Sequence, residues 1–388
     1  MSAADVPAEG WNLAAVSAQA AWRKVDDASA VVVAVIDSGV YRPHPTFRGV
    51  TWKGPRNTLE TVIGHGTRVA GIVGGRDERR PALGGVAPRV TLMALKIASD
   101  GFSERVDFTR AIEAIEHAVH HGATVLNLSW SSVEPDPALE RCLARVAERH
   151  PDVLVVTTPG NCDSGGSLLD EAPRFPACFA NPGIIVVTSS TCEDRLGSAS
   201  PASARYVDLA APGYLVTTAA TPDVPGGYGL RTGTSFAAPH VSGAAALLRA
   251  QHPSWSAVQL KAHLLAAVDR LPSLAGLVAS GGRLNVARAV WGPLDNVRHD
   301  ASGVWKAGST RTIRWDVAYR SPVCATVDVG WSYDGGTSFP LTLLSAAANS
   351  GEARITVPAG ATGRGRIRVQ CCGTQFFADS GHPITTCD

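Results

Sequence analysis

Three short segments of this chain carry residue types that together could perform nucleophilic chemistry. Val35-Ile36-Asp37-Ser38-Gly39 supplies a carboxylate, Gly64-His65-Gly66-Thr67 an imidazole, and Gly233-Thr234-Ser235-Phe236-Ala237-Ala238-Pro239-His240 a hydroxyl. A neutral hydroxyl is a poor nucleophile near pH 7. An imidazole beside it can take its proton as it attacks a carbonyl, then deliver that proton to the leaving amine. A carboxylate on the other ring nitrogen fixes the tautomer and stabilises the imidazolium. Asp37, His65 and Ser235 are therefore the candidate catalytic residues. Taken singly, each has a plainer reading: Asp before Ser-Gly is a common turn, Gly-His-Gly a common loop, Gly-Thr-Ser a common helix cap. The conjunction is what points to catalysis.

The elements around these residues suit that task. Ala30 to Ile36 is an apolar run that reads as a buried parallel strand, with Asp37 at its end. His65 opens a helix whose Val69, Ala70 and Ile72 are apolar. Ser235 sits at a helix start, because Ala237 to Ala250 is almost wholly small and apolar. Such a helix must be central, and its N-terminus offers backbone N–H groups where an oxyanion would form. Further strands are expected at about 90–95, 123–128, 153–158, 184–189 and 206–210, with helices near 106–120, 137–149 and 255–267. This alternation predicts an α/β fold with a mostly parallel sheet covered on both faces. Sites in such sheets gather at the carboxyl ends of strands, where Asp37, Ser129 and Asn161 all fall.

The three segments resemble those of the subtilisin-like serine proteases, and the resemblance runs from about Trp11 to Trp291. Asp, His, Ser is that family's chain order. The resemblance implies a three-layer subtilisin-like domain and a serine endopeptidase. Ser235 would form the acyl-enzyme, His65 would act as general base and Asp37 would orient it. Val153 to Asn161 resembles the strand and turn that carry the family's oxyanion asparagine, so Asn161 takes that role beside the Ser235 N–H. Thr158-Pro159 stands where the family has small residues.

The family binds peptides as an added strand between two segments. One resembles Leu128-Ser129-Trp130-Ser131-Ser132, the other Ser99-Asp100-Gly101-Phe102. Ser129, Trp130, Ser131, Gly101 and Gly160 are thus expected to contact substrate. Ser131 and Ser132 replace glycines and Trp130 adds bulk, so the pocket for the residue before the scissile bond (P1) should be narrow. Arg174-Phe175-Pro176-Ala177 resembles the base of that pocket, with Arg174 where a small residue is usual. Turned inward, Arg174 would select an acidic P1. Turned outward, it would leave a small or medium apolar P1, the default expectation. The family's strong calcium site draws on an Asp where this chain has Thr46, and Gly75 to Arg80 is basic. No metal or other cofactor is expected. Two rivals share the fold: a peptide ligase or cyclase using the same triad, and a non-catalytic scaffold. Retention of Asp37, His65, Asn161 and Ser235 argues against the scaffold.

The 388 residues are 45% hydrophobic, enough for one large core and a smaller second domain. A net charge of +1 argues against a nucleic-acid or anionic-membrane partner. No run of about 18 apolar residues offers a membrane span. The segment after Met1 lacks the basic-then-apolar pattern of a signal peptide. The expected partners are a peptide or protein substrate and a separate propeptide or inhibitor, with a monomeric chain. Four of the eight cysteines precede residue 200 and four follow 320, which favours disulfides and a secreted location. Cys142 fits the apolar helix face of Leu139, Leu143 and Val146 and reads as a buried thiol. The resemblance places the strands before Cys162 and Cys192 parallel at one end of the sheet, which makes Cys162–Cys192 the preferred bridge, with Cys162–Cys178 the alternative. The catalytic domain is placed at 1–291. From 295 to 388, short alternating runs separated by Gly, Pro, Asp and Ser predict a small β-sandwich. Trp331-Ser332-Tyr333-Asp334-Gly335-Gly336 resembles a hairpin of accessory sandwich domains of secreted proteases.

Overall fold

The computed structural model describes residues 6–54, 64–98, 106–162, 168–299, 304–358 and 363–387. The chain divides into two compact units, Met1–Val290 and Trp291–Asp388.

The first unit is built on one sheet. Its strands are β1 (Ala28–Asp37), β2 (Thr51–Lys53), β3 (Val90–Lys96), β4 (Ala123–Leu128), β5 (Leu154–Thr157), β6 (Ile184–Ser190) and β7 (Leu209–Pro212). A separate hairpin is formed by β8 (Val216–Ala219) and β9 (Tyr228–Arg231), while β10 (Asp269–Arg270) and β11 (Gly282–Arg283) extend the sheet edge. The order is β10-β11-β7-β6-β5-β4-β1-β3-β2, parallel throughout except between β10 and β11. The strand expected at 206–210 begins later, because Val207 is tied back to Ser203 by its N–H and pairing starts only at Leu209.

The central strands are apolar on both faces because helices cover both. These are α1 (Trp11–Ala15), α2 (Ala18–Trp22), α3 (His65–Gly74), α4 (Phe108–His120), α5 (Pro137–Arg149), α6 (Thr234–Gln251), α7 (Ala257–Ala266) and α8 (Val286–Trp291). Helix α5 shows the local logic. Pro137 pre-sets its first turn, the Asp136 carboxylate accepts from the Leu139 N–H, and Leu139, Cys142, Leu143 and Val146 are buried. Burial pushes the Cys142 thiol up to about 11, so it is a core residue as expected. Helix α6 is buried along almost its whole length, which its Ala, Gly and Ser content permits.

Chain order reverses around β1, whose two neighbours are β3 and β4. Open α/β sheets bind ligands at such a switch point, beyond the carboxyl ends of the strands. Asp37 ends β1, Ser129 follows β4 and Asn161 follows β5.

The second unit contains further sheets. One joins β12 (Leu294–His299), β14 (Thr310–Val317) and β17 (Glu352–Thr356). The other joins β13 (Trp305–Lys306), β20 (Ile384–Cys387), β18 (Gly363–Cys371), β15 (Thr326–Ser332) and β16 (Leu341–Ala348), with β19 (Phe377–Asp379) on β18. Alternate residues are buried: Ile313 and Trp315 on β14, and Val327, Val329 and Trp331 on β15.

The cysteine pairing differs from expectation. Cys324 and Cys371 form a disulfide with Cα atoms 5.0 Å apart. Cys324 leads into β15, and Cys371 lies opposite Val327 on the paired strand β18. Cys162, Cys178 and Cys192 are free thiols. The Cys162 N–H donates to Ala199 O at 3.0 Å, beyond Cys192 rather than at it. The turn before Cys162 is drawn to α6, where Asn161 Oδ1 accepts from Thr234 N. Cys192 lies in a turn that closes on itself, Thr191 N donating to Arg195 O.

Candidate active site

Asp37 is 5% exposed at the end of β1. Its Oδ1 accepts from the Ser38 N–H at 2.7 Å and lies 2.8 Å from His65 Nδ1. A carboxylate only accepts, so His65 Nδ1 carries the proton and Nε2 is left as the basic nitrogen. His65 is the first residue of α3, with its side chain 28% exposed and its ring 5.6 Å from that of Phe236. Gly66 is required by close approach: a Cβ there would sit 2.2 Å from the Gly39 carbonyl oxygen. The Gly66 N–H instead bonds Ser38 Oγ at 3.0 Å, which docks the start of α3 onto the end of β1.

Ser235 is the second residue of α6. Its main-chain carbonyl accepts from Ser129 Oγ at 2.8 Å. Ser129 is 2% exposed and receives a hydrogen bond from Asn127 Nδ2 at 2.9 Å. Asn127 Oδ1 in turn accepts from Ser242 Oγ at 2.8 Å. Ser129 therefore positions the Ser235 backbone, a more specific role than lining the cleft.

Asn161 is held by its carbonyl end. Oδ1 accepts from Thr234 N at 3.0 Å, which directs the amide nitrogen as the remaining donor. Thr234 Oγ1 also donates to Gly160 O at 2.8 Å and lies 2.9 Å from Thr158 Oγ1. Thr158 Oγ1 accepts from the Gly160 N–H at 3.0 Å. The Thr158-Pro159 departure thus builds a hydroxyl tie between β5 and α6. The sequence reading missed Thr158 and Thr234; the departure was the signal that could have found them.

Asp37, His65, Asn161 and Ser235 border one cavity of about 320 Å³, together with Trp130 and Ser131. Ser129 and Gly160 reach it as well. The Trp130 indole N–H donates to Ile36 O at 3.0 Å, so its bulk lies toward β1. The narrow place is elsewhere: at Gly160, φ 80°, a Cβ would lie 2.7 Å from Ser131 Oγ. Arg174 is half-buried beside Gly160. Gly101 lies outside the described residues.

The loop expected to lack calcium is held by protein groups. Asp77 Oδ1 accepts from the N–H groups of Arg79 and Arg80 at 2.9 and 3.2 Å, and Oδ2 accepts from Tyr228 Oη at 2.5 Å. Burial alone would raise the Asp77 carboxyl, but the Tyr228 hydroxyl and these two N–H groups hold it below its ordinary value. Arg80 pairs with Glu9 and stacks over the Tyr228 ring at 4.9 Å.

Residues 28–288 match the Subtilase family of peptidases. The chain belongs to the subtilase family. Subtilisin BL of Lederbergia lenta is 34% identical over 258 residues, covering 66% of this chain and 89% of that protein. The alkaline protease of Alkalihalobacillus alcalophilus is also 34% identical, over 66% of this chain and 63% of its own. Among solved structures, the MycP3 protease of the type VII (ESX-3) secretion system matches with a TM-score of 0.60 and 25% identity. That match covers 72% of this chain and 87% of MycP3. The prenylagaramide maturation protease PagA matches at 0.59 and 26%, over 70% and 96%. This subtilase is a serine endopeptidase with the subtilisin-like α/β fold, followed by additional β sheets. Among the described residues, no helix is long and apolar enough to cross a membrane.

Proposed function

We propose that this subtilase hydrolyses peptide bonds through an acyl-enzyme on Ser235, with His65 as general base and Asp37 as its orienting carboxylate. One observation carries the reading. The His65–Asp37 pair, at 2.8 Å, borders the same cavity as Ser235 and Asn161. With Nδ1 committed to Asp37, Nε2 takes the Ser235 proton as Oγ attacks the substrate carbonyl. The carbonyl π electrons move onto oxygen, and the Asn161 amide and the Ser235 N–H stabilise that charge. Collapse of the tetrahedral adduct breaks the C–N bond, and His65 returns the proton to the departing amine. Water then repeats the sequence to release the acid.

The substrate lies extended along Ser129 to Ser131, held mainly through its main chain, with P1 directed toward Ser131 and Gly160. The C-terminal sheets form an accessory module, since every proposed catalytic residue precedes Trp291. The Cys324–Cys371 disulfide supports a secreted location.

The test is incubation with a fluorophosphonate probe and with casein. Labelling of Ser235 together with cleavage supports the proposal. Labelling with transfer of the acyl group to an added amine, and no net cleavage, would favour a ligase. No labelling would favour a scaffold.

A further inference from the structure

Helix α1 reaches the segment around Ser235 through two adjacent residues. Trp11 packs with Ile72, Val216 and Phe236, and the Phe236 ring lies 5.6 Å from that of His65. Asn12 is buried, and its Nδ2 lies 2.9 Å from His240 Nε2. His240 Nδ1 lies 2.8 Å from the Phe236 carbonyl oxygen. His240 is fully buried, which lowers it to about 4 and keeps it neutral near pH 7. A carbonyl only accepts, so Nδ1 carries the single proton and Nε2 accepts from the Asn12 amide. Donation thus runs one way, from Asn12 through His240 to the residue after Ser235.

A third tie leaves Trp11. Its indole N–H donates to Leu215 O at 3.0 Å. Leu215 has φ 52°, in the left-handed region that a bulky side chain rarely occupies. Its N–H donates to Thr232 Oγ1 at 3.0 Å, so both of its main-chain polar groups are held. Thr232 borders the catalytic cavity and leads into Gly233-Thr234-Ser235. Strained backbone persists only where its surroundings over-determine it, and such places cluster at functional sites.

One further observation separates this arrangement from ordinary core packing. Among the described residues, Asn12 Oδ1 is buried without a hydrogen-bond partner. A buried acceptor left unpaired costs stability, so packing alone would favour an apolar side chain at this position. We infer that Trp11 and Asn12 are positioning residues for catalysis: docked on the 232–236 segment, α1 holds Phe236 beside His65 and sets the backbone that carries Ser235. This rests on the catalytic reading above and extends it to a helix outside the cleft. Neither Trp11 nor Asn12 is among the described residues that border the cavity.

The experiment compares the full-length enzyme with Asn12→Leu, His240→Leu, the double variant and Trp11→Phe. One chromogenic peptide is used, at a temperature where circular dichroism shows each protein folded. Rates are normalised to the fraction of Ser235 labelled by the fluorophosphonate. Asn12→Leu should lower kcat about three- to tenfold with KM nearly constant. Its melting temperature should change little, because the unpaired Asn12 oxygen disappears as His240 Nε2 loses its donor. Asn12 acts through His240, so the double variant should be no slower than His240→Leu alone. Trp11→Phe keeps an aromatic ring and loses the N–H, and should lower kcat by a smaller factor. Unchanged kcat in Asn12→Leu and Trp11→Phe, a raised KM in place of a lowered kcat, or losses that multiply in the double variant overturn the positioning role alone. Should a leucine variant fail to fold, Trp11→Phe decides, and a normal kcat there overturns the role. No labelling of the wild type overturns the catalytic reading, and the positioning role with it.

Discussion

Ser129 Oγ donates to the main-chain carbonyl of Ser235 at 2.8 Å. In a helix that carbonyl would receive the N–H of the residue four positions on, which here is Pro239 and has none. The proline frees the carbonyl and Ser129 takes it, so the Ser235 backbone is anchored to the end of β4. The donors along this chain have fixed directions. Asn127 Oδ1 can only accept, so Ser242 donates to it; Asn127 Nδ2 then donates to Ser129, whose own proton must go to Ser235.

This anchor should show in turnover. Removing a buried hydrogen-bond partner costs about 1–3 kcal/mol, so Ser129→Ala should lower kcat about tenfold with little change in KM. Ser242→Ala, two bonds further away, should act in the same direction more weakly. If either change lowers the melting temperature and leaves kcat intact, the chain is structural only.

Asn161→Ala should lower kcat by about 10²–10³ with KM nearly constant, a figure whose reference case is itself a subtilisin. Asn161 Oδ1 is bound by Thr234 N, so Asn161→Asp should be nearly as damaging, because it removes the amide donor. A raised KM with normal kcat would make Asn161 a binding residue instead.

The loop at Asp77 is tied to Tyr228, Arg79 and Arg80, and Arg80 to Glu9. Chelation with EDTA should therefore leave the melting temperature unchanged. Tyr228→Phe should lower it, since it strips one donor from a partly buried carboxylate. A marked drop with EDTA, reversed by calcium, would contradict this.

Stability should fall in mild acid. Burial lowers His240 and His263 to about 4, and His252, stacked on Trp255 at 3.9 Å, to about 3. The unfolded chain takes up these protons near the ordinary value of 6.5. Between 6.5 and about 4 the unfolded state thus binds more protons, so stability rises with pH and is lost as pH falls through that window. Melting temperatures measured from pH 7 to 4 should decline steadily. A flat profile would show that these rings are not buried as neutral groups.

Much of this was legible in the sequence for physical reasons. Apolar runs such as Ala30 to Ile36 have one comfortable place, a strand covered on both faces. Asp37, His65 and Ser235 stand at element ends, where motif and chain order coincide. Other features depend on register and partner, which no local pattern encodes. Cys324 meets Cys371 because β15 pairs with β18 across 47 residues of sequence. Ser242 reads as one more small residue of α6 until Asn127 is placed beside it.

The central claim is that Ser235 is a nucleophile activated by the His65–Asp37 pair. Mass spectrometry of the protein after fluorophosphonate treatment tests it most directly. The account predicts one adduct per chain, on the peptide containing Ser235, and none in Ser235→Ala or His65→Ala proteins that fold normally. Full labelling of Ser235→Ala, or an adduct on another residue, would contradict it.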